Sequence, residues 1–169
     1  MTKMVKKANP KSSAAAQAVE TNEKKWGKTL MAAGWTAFPN IILEKQQTLG
    51  LDAVDMNIIL YLSTYWWEAD NKPFPSKRTI AEAIGLAPRT VQRRIAALEG
   101  HGLIRREFRP DKDKGNKSNR YHFDGLIAEV EGFAQEKVES IEARRSAEAA
   151  RKRSRKRPQL KGIRGGKQA

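Results

Sequence analysis

Two short apolar-patterned segments joined by Gly85-Leu86-Ala87-Pro88 constrain this chain more than any other feature. Ser76 can cap a helix whose inner face is Ile80, Ala81 and Ile84, because a serine oxygen satisfies an otherwise unbonded amide of the first turn. Gly85 ends that helix, since a left-handed backbone costs little only for glycine. Pro88 suits the first turn of a second helix, where its missing N–H costs nothing. On that second helix Val91, Ile95 and Leu98 recur at i, i+4 and i+7 and predict a core-facing stripe. At 100° per residue Arg89, Gln92, Arg93 and Ala96 fall on the opposite face. One stripe anchors the helix and the other offers two guanidinium groups and an amide to something outside, with Arg94 on the flank. The small Ala96 leaves room for a partner to approach.

After Glu99-Gly100-His101-Gly102 the periodicity changes from helical to alternating. Ile104, Arg106 and Phe108 alternate with Leu103, Arg105 and Glu107, and Tyr121 and Phe123 with Arg120, His122 and Asp124. Two such runs around the polar stretch PDKDKGNKSN predict a hairpin with a basic tip formed by Lys112, Lys114 and Lys117.

Elsewhere the pattern is mostly helical. Residues 1–24 are rich in Lys, Ser and Ala without a lasting period and are expected to be disordered. Trp35 to Phe38 reads as a short extended piece, and Pro39 as the start of a helix of about nine residues stopping near Gly50. Asp52, with Asp55 in capping-box position, begins a helix carrying Ile58/Ile59, Leu62 and Tyr65/Trp66. Trp66 is expected to pack rather than to serve as a stacking platform. From Gly125 a long helix carries Leu126/Ile127, Val130, Phe133/Ala134, Val138 and Ile141. Its stripe sustains barely two heptads and includes Gly132, so packing back on its own domain is expected over a coiled coil; homodimerisation stays open. The fold class is mainly α with a small β-hairpin. A basic tail (1–24), a folded domain (25–124), a helix with a basic end (125–157) and a flexible tail (158–169) make up the expected organisation.

Charge narrows the partners. The 169 residues carry a formal +14. Residues 72–120 hold thirteen Lys/Arg against five acids, whereas 29–71 and 121–150 are each net acidic. Such sorting points to a polyanion. Cysteine is absent and the only histidines, His101 and His122, stand 21 apart in no metal-ligand spacing. Catalysis, metal and cofactor are accordingly not expected. No apolar run approaches the roughly 20 residues of a membrane span. The N-terminus lacks the apolar stretch of a signal peptide, so a cytoplasmic, nucleoid-associated protein is expected.

The connected pattern TIAEAIGL, PRTVQRRIAALE, GHGLIRRE and NRYHF, from about Ser76 to Asp124, resembles a winged helix-turn-helix domain of the bacterial, plasmid and phage kind. Ala87 departs from that family's habit of a hydroxyl cap on the recognition helix. The resemblance implies double-stranded DNA as the partner and places residues 88–99 in a major groove and the wing 103–124 on adjacent backbone or minor groove. It implies base contacts from Arg89, Gln92 and Arg93. Backbone contacts would come from Ser76, Lys77, Arg78, Thr90, Arg94, Lys112, Lys114 and Lys117. The run Arg151, Lys152, Arg153, Arg155, Lys156 and Arg157 reads as a non-specific DNA tail. A transcriptional regulator is the first expectation, a plasmid or phage replication initiator the second, and a non-specific architectural protein the third.

Overall fold

The computed structural model describes residues 10–111 and 115–155. Seven helices and one hairpin follow in the order α1 (Pro10–Trp26), α2 (Lys28–Ala33), α3 (Asn40–Glu44), α4 (Ala53–Ser63), α5 (Lys77–Ile84), α6 (Pro88–Gly100), β1 (Arg105–Asp111), β2 (Gly115–His122) and α7 (Asp124–Arg155).

The core forms where α4, α5 and α6 turn their apolar faces toward one another. Ile58, Ile59 and Leu62 of α4 meet Ile80 and Ala81 of α5 and Val91, Ile95 and Leu98 of α6, all buried. Ile104, Tyr121, Phe123 and Leu126 close the cluster from the hairpin and the start of α7. Burying side chains of this size stabilises by roughly 1.5–3 kcal/mol each, and these contacts fix the angle between α5 and α6.

Local signals set the helix ends. Asp52 Oδ1 accepts from the amides of Val54 and Asp55 at 2.8 and 2.9 Å, while Asp55 Oδ2 accepts from Asp52 N at 3.3 Å, completing the capping box. The Ser76 hydroxyl accepts from Thr79 N at 3.0 Å. Gly85 adopts φ +70°, so the chain turns from α5 into α6 without the strain a Cβ would bring. Ala87 caps α6 with no side-chain bond, and Pro88 occupies the first turn.

The hairpin pairs antiparallel, with Arg105 opposite His122 and Asp111 opposite Gly115, and an irregularity between Glu107 and Arg109. Its strands run further into PDKDKGNKSN than alternation predicted: ladder hydrogen bonds need no apolar side chains, so pairing persists to the tip. The tip residues Lys112 and Lys114 lie outside the described residues, as does the side chain of Lys117. The Pro73–Pro75 segment lies along β2, with Tyr121 N donating to Pro73 O at 2.8 Å and Ser118 Oγ to Phe74 O at 2.6 Å.

Four expectations need correction. Residues 10–24, expected disordered, belong to α1, which runs from Pro10 to Trp26. Pro10 starts it, the alanines of its first half carry high helix propensity, and a Glu20–Lys24 pair at 2.7 Å adds an i,i+4 contact. The helix after Pro39 ends at Glu44, and successive turns carry the chain to Gly50. The helix from Asp52 stops at Ser63 because Ser63 Oγ and Thr64 Oγ1 bond back to the carbonyls of Ile59 and Tyr61, both at 2.8 Å. Tyr65 and Trp66 therefore leave the helix, yet Trp66 still packs, its ring stacked on Phe123 at 5.5 Å between centroids. Lastly, α7 packs back only through its first turns: Leu126 and Val130 are buried, Phe133 is half-buried, and every residue from Gln135 to Ser154 is exposed.

Where α7 begins, Gly125 is pressed against the preceding turn. A Cβ there would lie 1.8 Å from the carbonyl oxygen of Gly102, and Leu126 N donates to Leu103 O at 2.9 Å.

Candidate nucleic-acid interface

The two faces of α6 separate cleanly. Val91 and Ile95 are both 0% exposed and Leu98 is 2% exposed. Arg89, Gln92, Arg93 and Ala96 are exposed, and Thr90 is half-buried. Among the described residues neither Arg89 nor Arg93 has an ion-pair or hydrogen-bond partner in the protein. This row therefore presents two guanidinium groups to solvent.

The start of α5 adds to the same surface. Lys77 Nζ donates to Gln92 Oε1 at 3.3 Å, which joins the first turn of α5 to the middle of α6 and leaves the Gln92 amide NH2 pointing elsewhere. Arg78 lies beside them but is paired with Glu82 at 2.8 Å. That pair is exposed on both sides and screened by solvent, so an incoming phosphate can take the guanidinium over.

Two residues expected to face a partner are engaged inside the protein. The Ser76 hydroxyl serves as the α5 cap and shares a 2.8 Å hydrogen bond with Thr79 Oγ1. Arg94 reaches the start of α4, with Nη2 2.6 Å from Asp52 Oδ2 and Nη1 3.6 Å from Asp55 Oδ2. Amide hydrogen bonds, from Asp55 first, hold the Asp52 carboxyl below its ordinary range, whereas burial raises that of Asp55. Arg94 is the cation that offsets both carboxylates, and it locks the rotation of α6 against α4. The bond needs α4 and α6 side by side, a juxtaposition that local spacing does not reveal.

The wing is fixed to α6 by a second ion pair. Arg106 Nε donates to Glu99 Oε2 at 2.8 Å, Arg106 Nη2 reaches the same oxygen, and Arg106 N donates to Glu99 Oε1 at 3.1 Å. The guanidinium hydrogen bonds hold the Glu99 carboxyl below its ordinary value of 4.5. Further along, Glu107 bonds Arg120 Nη1 at 3.1 Å and His122 Nε2 at 2.8 Å. Arg109 lies 5.0 Å over the Phe74 ring. It is a basic wing residue that alternation did not single out, because the irregularity after Glu107 shifts which side chains share a face.

No group of three or more His, Cys, Asp or Glu able to hold a metal occurs among the described residues. No helix there is long and apolar enough to cross a membrane. The basic run of α7 is divided: Arg151, Lys152 and Arg153 are exposed near its end, whereas Lys156, Arg157 and the side chain of Arg155 lie outside the described residues.

A three-helix core with an αL turn between its last two helices, followed by a two-stranded hairpin, defines a winged helix-turn-helix protein. Residues 49–104, about a third of the chain, match the helix-turn-helix domain family and span α4, α5 and α6. Among solved structures, the chain is similar to a complex of MepR from S. aureus with DNA, at 21% identity over 68% of this chain and 89% of that one, with a TM-score of 0.40. It is also similar to MarR, at 20% identity over 66% and 88% with a TM-score of 0.36. A third similar structure is the transcriptional regulator PA3341, at 24% identity over 60% and 70% with a TM-score of 0.36. No curated protein matches the chain significantly.

Proposed function

We propose that this chain is a sequence-specific double-stranded DNA-binding protein acting as a bacterial transcriptional regulator. The observation that carries the reading is the division of α6, whose Val91 and Ile95 are 0% exposed while Arg89, Gln92 and Arg93 face outward. A helix so anchored enters a major groove as a rigid reader. Arg89 and Arg93 each match the O6/N7 edge of guanine bidentately, at about 1–3 kcal/mol of discrimination per good pair. Because Lys77 holds the Gln92 carbonyl oxygen, the Gln92 NH2 is the group turned toward a base-edge acceptor.

Lys77, Arg78 and Thr90 take phosphates beside the groove, and the wing, with Arg109 and the sequence-assigned Lys112, Lys114 and Lys117, lies on the adjacent backbone or minor groove. The basic end of α7 and the tail beyond it add affinity without preference. Two copies acting together, in the cytoplasm and on the nucleoid, belong to the same reading. Selection from random duplex DNA at two salt concentrations tests it. The expected result is one enriched short motif, with affinity falling steeply as salt rises. Enrichment of no motif would leave only non-specific binding and overturn the base-reading role of α6.

A further inference from the structure

Beyond Ala134 no described residue of α7 is even half-buried. Its first turns are held by Leu126 and Val130 in the core, by Lys45 Nζ 5.0 Å over the Phe133 ring, and by Lys137 Nζ 2.5 Å from Glu44 Oε1. From Gln135 to Ser154 every residue is exposed. This stretch carries uncovered apolar side chains, Val138 at 54% and Ile141 at 39% exposure. At 100° per residue these two share a stripe with Ile127, itself 46% exposed, and with Ala134. Ile127 and Val138 lie about 90° and 110° around the helix from the midline of Leu126, Val130 and Phe133, and Ile141 about 50° from it, so the domain leaves all three open to solvent. Ile141 also lines an open groove between α3 and α7 with Ile41 and Phe133.

The charges of α7 say what covers it. Residues 124–142 hold six acids and one cation, and residues 143–155 hold six cations and one acid. The helix is thus a rod of opposite and equal ends with apolar side chains near its middle. Laid parallel, two such rods oppose like charges along their whole length. Laid antiparallel, each acidic half meets a basic half.

We propose that α7 is the dimerisation element of this protein, and that its partner is the α7 of a second copy, packed antiparallel with the two-fold axis near Ile141. Ile141 of one copy packs on Ile141 of the other, and Val138 lies against the aliphatic stem of Arg145 across the axis. The interface is isologous and needs no other component. It assigns the contact between the two copies named under the functional reading but does not depend on the DNA contacts. Its test contains no DNA, so either can fail alone.

The chain has no cysteine, so an introduced thiol reports only its own position. The full chain bearing Ile141→Cys, oxidised mildly, is expected to give a covalent dimer on a non-reducing gel. Ile127→Cys, on the same stripe, is expected to stay monomeric on the gel, because antiparallel packing holds the two thiols about 40 Å apart. Wild type is expected to run as a dimer by light scattering. Val138→Glu with Ile141→Glu should weaken the dimer at least about ten-fold while leaving the circular dichroism of the folded domain unchanged, since both sites are exposed in the monomer. A wild-type protein that remains monomeric at about 100 µM would overturn the proposal. So would Ile127→Cys cross-linking as readily as Ile141→Cys, the signature of parallel packing.

Discussion

The α6 and α7 helices are both amphipathic rods, yet one is finished within the domain and the other is not. Every large apolar residue on the inward face of α6 is buried, so its polar face is free to act as a surface. The α7 helix buries only Leu126 and Val130 near its start, and the rest of its length carries apolar side chains and sorted charge into solvent. An amphipathic pattern therefore specifies that a face will be covered. Whether the cover comes from the same chain depends on geometry that the pattern does not contain.

Four substitutions break or sharpen that contrast. Ile95→Ala empties a core site on α6 and should cost about 2–5 kcal/mol of unfolding free energy, measured by urea denaturation and independent of protein concentration. Arg93→Ala alters only the open face. It should leave stability within about 0.5 kcal/mol but reduce the preference for the selected duplex over a scrambled one by about 1–3 kcal/mol. A competition binding assay reads that difference. Ser76→Ala, which removes the α5 cap, should cost about 1 kcal/mol in the same denaturation assay and leave the preference between DNA sequences unchanged. Ile141→Ala should be nearly silent in dilute protein, within about 0.5 kcal/mol, and should destabilise only at concentrations where the wild type is dimeric.

Acid weakens the ion pair that ties the wing to α6. The Glu99 carboxyl has its folded pKa lowered by Arg106, so the pair stabilises the fold above the ordinary value and loses that contribution as pH falls through the folded value. A Glu99→Gln variant should therefore be less stable than wild type near neutrality and approach it as the pH drops below 4.5. Thermal melts across that range test the sign. A difference that grows with acid would contradict it.

The helix-turn-helix was legible because its signals are local. Ser76, Gly85 and Pro88 mark three helix ends by backbone chemistry alone, and Val91, Ile95 and Leu98 repeat at a period only a helix satisfies. The position of the outward row Arg89, Gln92 and Arg93 followed from the same period. What stayed hidden depends on distant partners or on weak biases. Arg94 read as a flank cation because its partners, Asp52 and Asp55, lie some forty positions earlier. Pro73 pairs with Tyr121 through the backbone, which leaves no trace in side-chain pattern. The α1 helix has no apolar stripe to detect, and its helicity follows from alanine content and one ion pair. The strands ran further than alternation suggested for the same reason that the Pro73 contact was invisible.

The close approach of Gly125 to the Gly102 carbonyl makes the exit direction of α7 a property of main chain against main chain. Side chains further along the rod can change without swinging it, much as a hinge pin holds a door's line whatever is hung on the door. A single added methyl group at Gly125 would do what many distal replacements could not, and send the whole rod off along another heading.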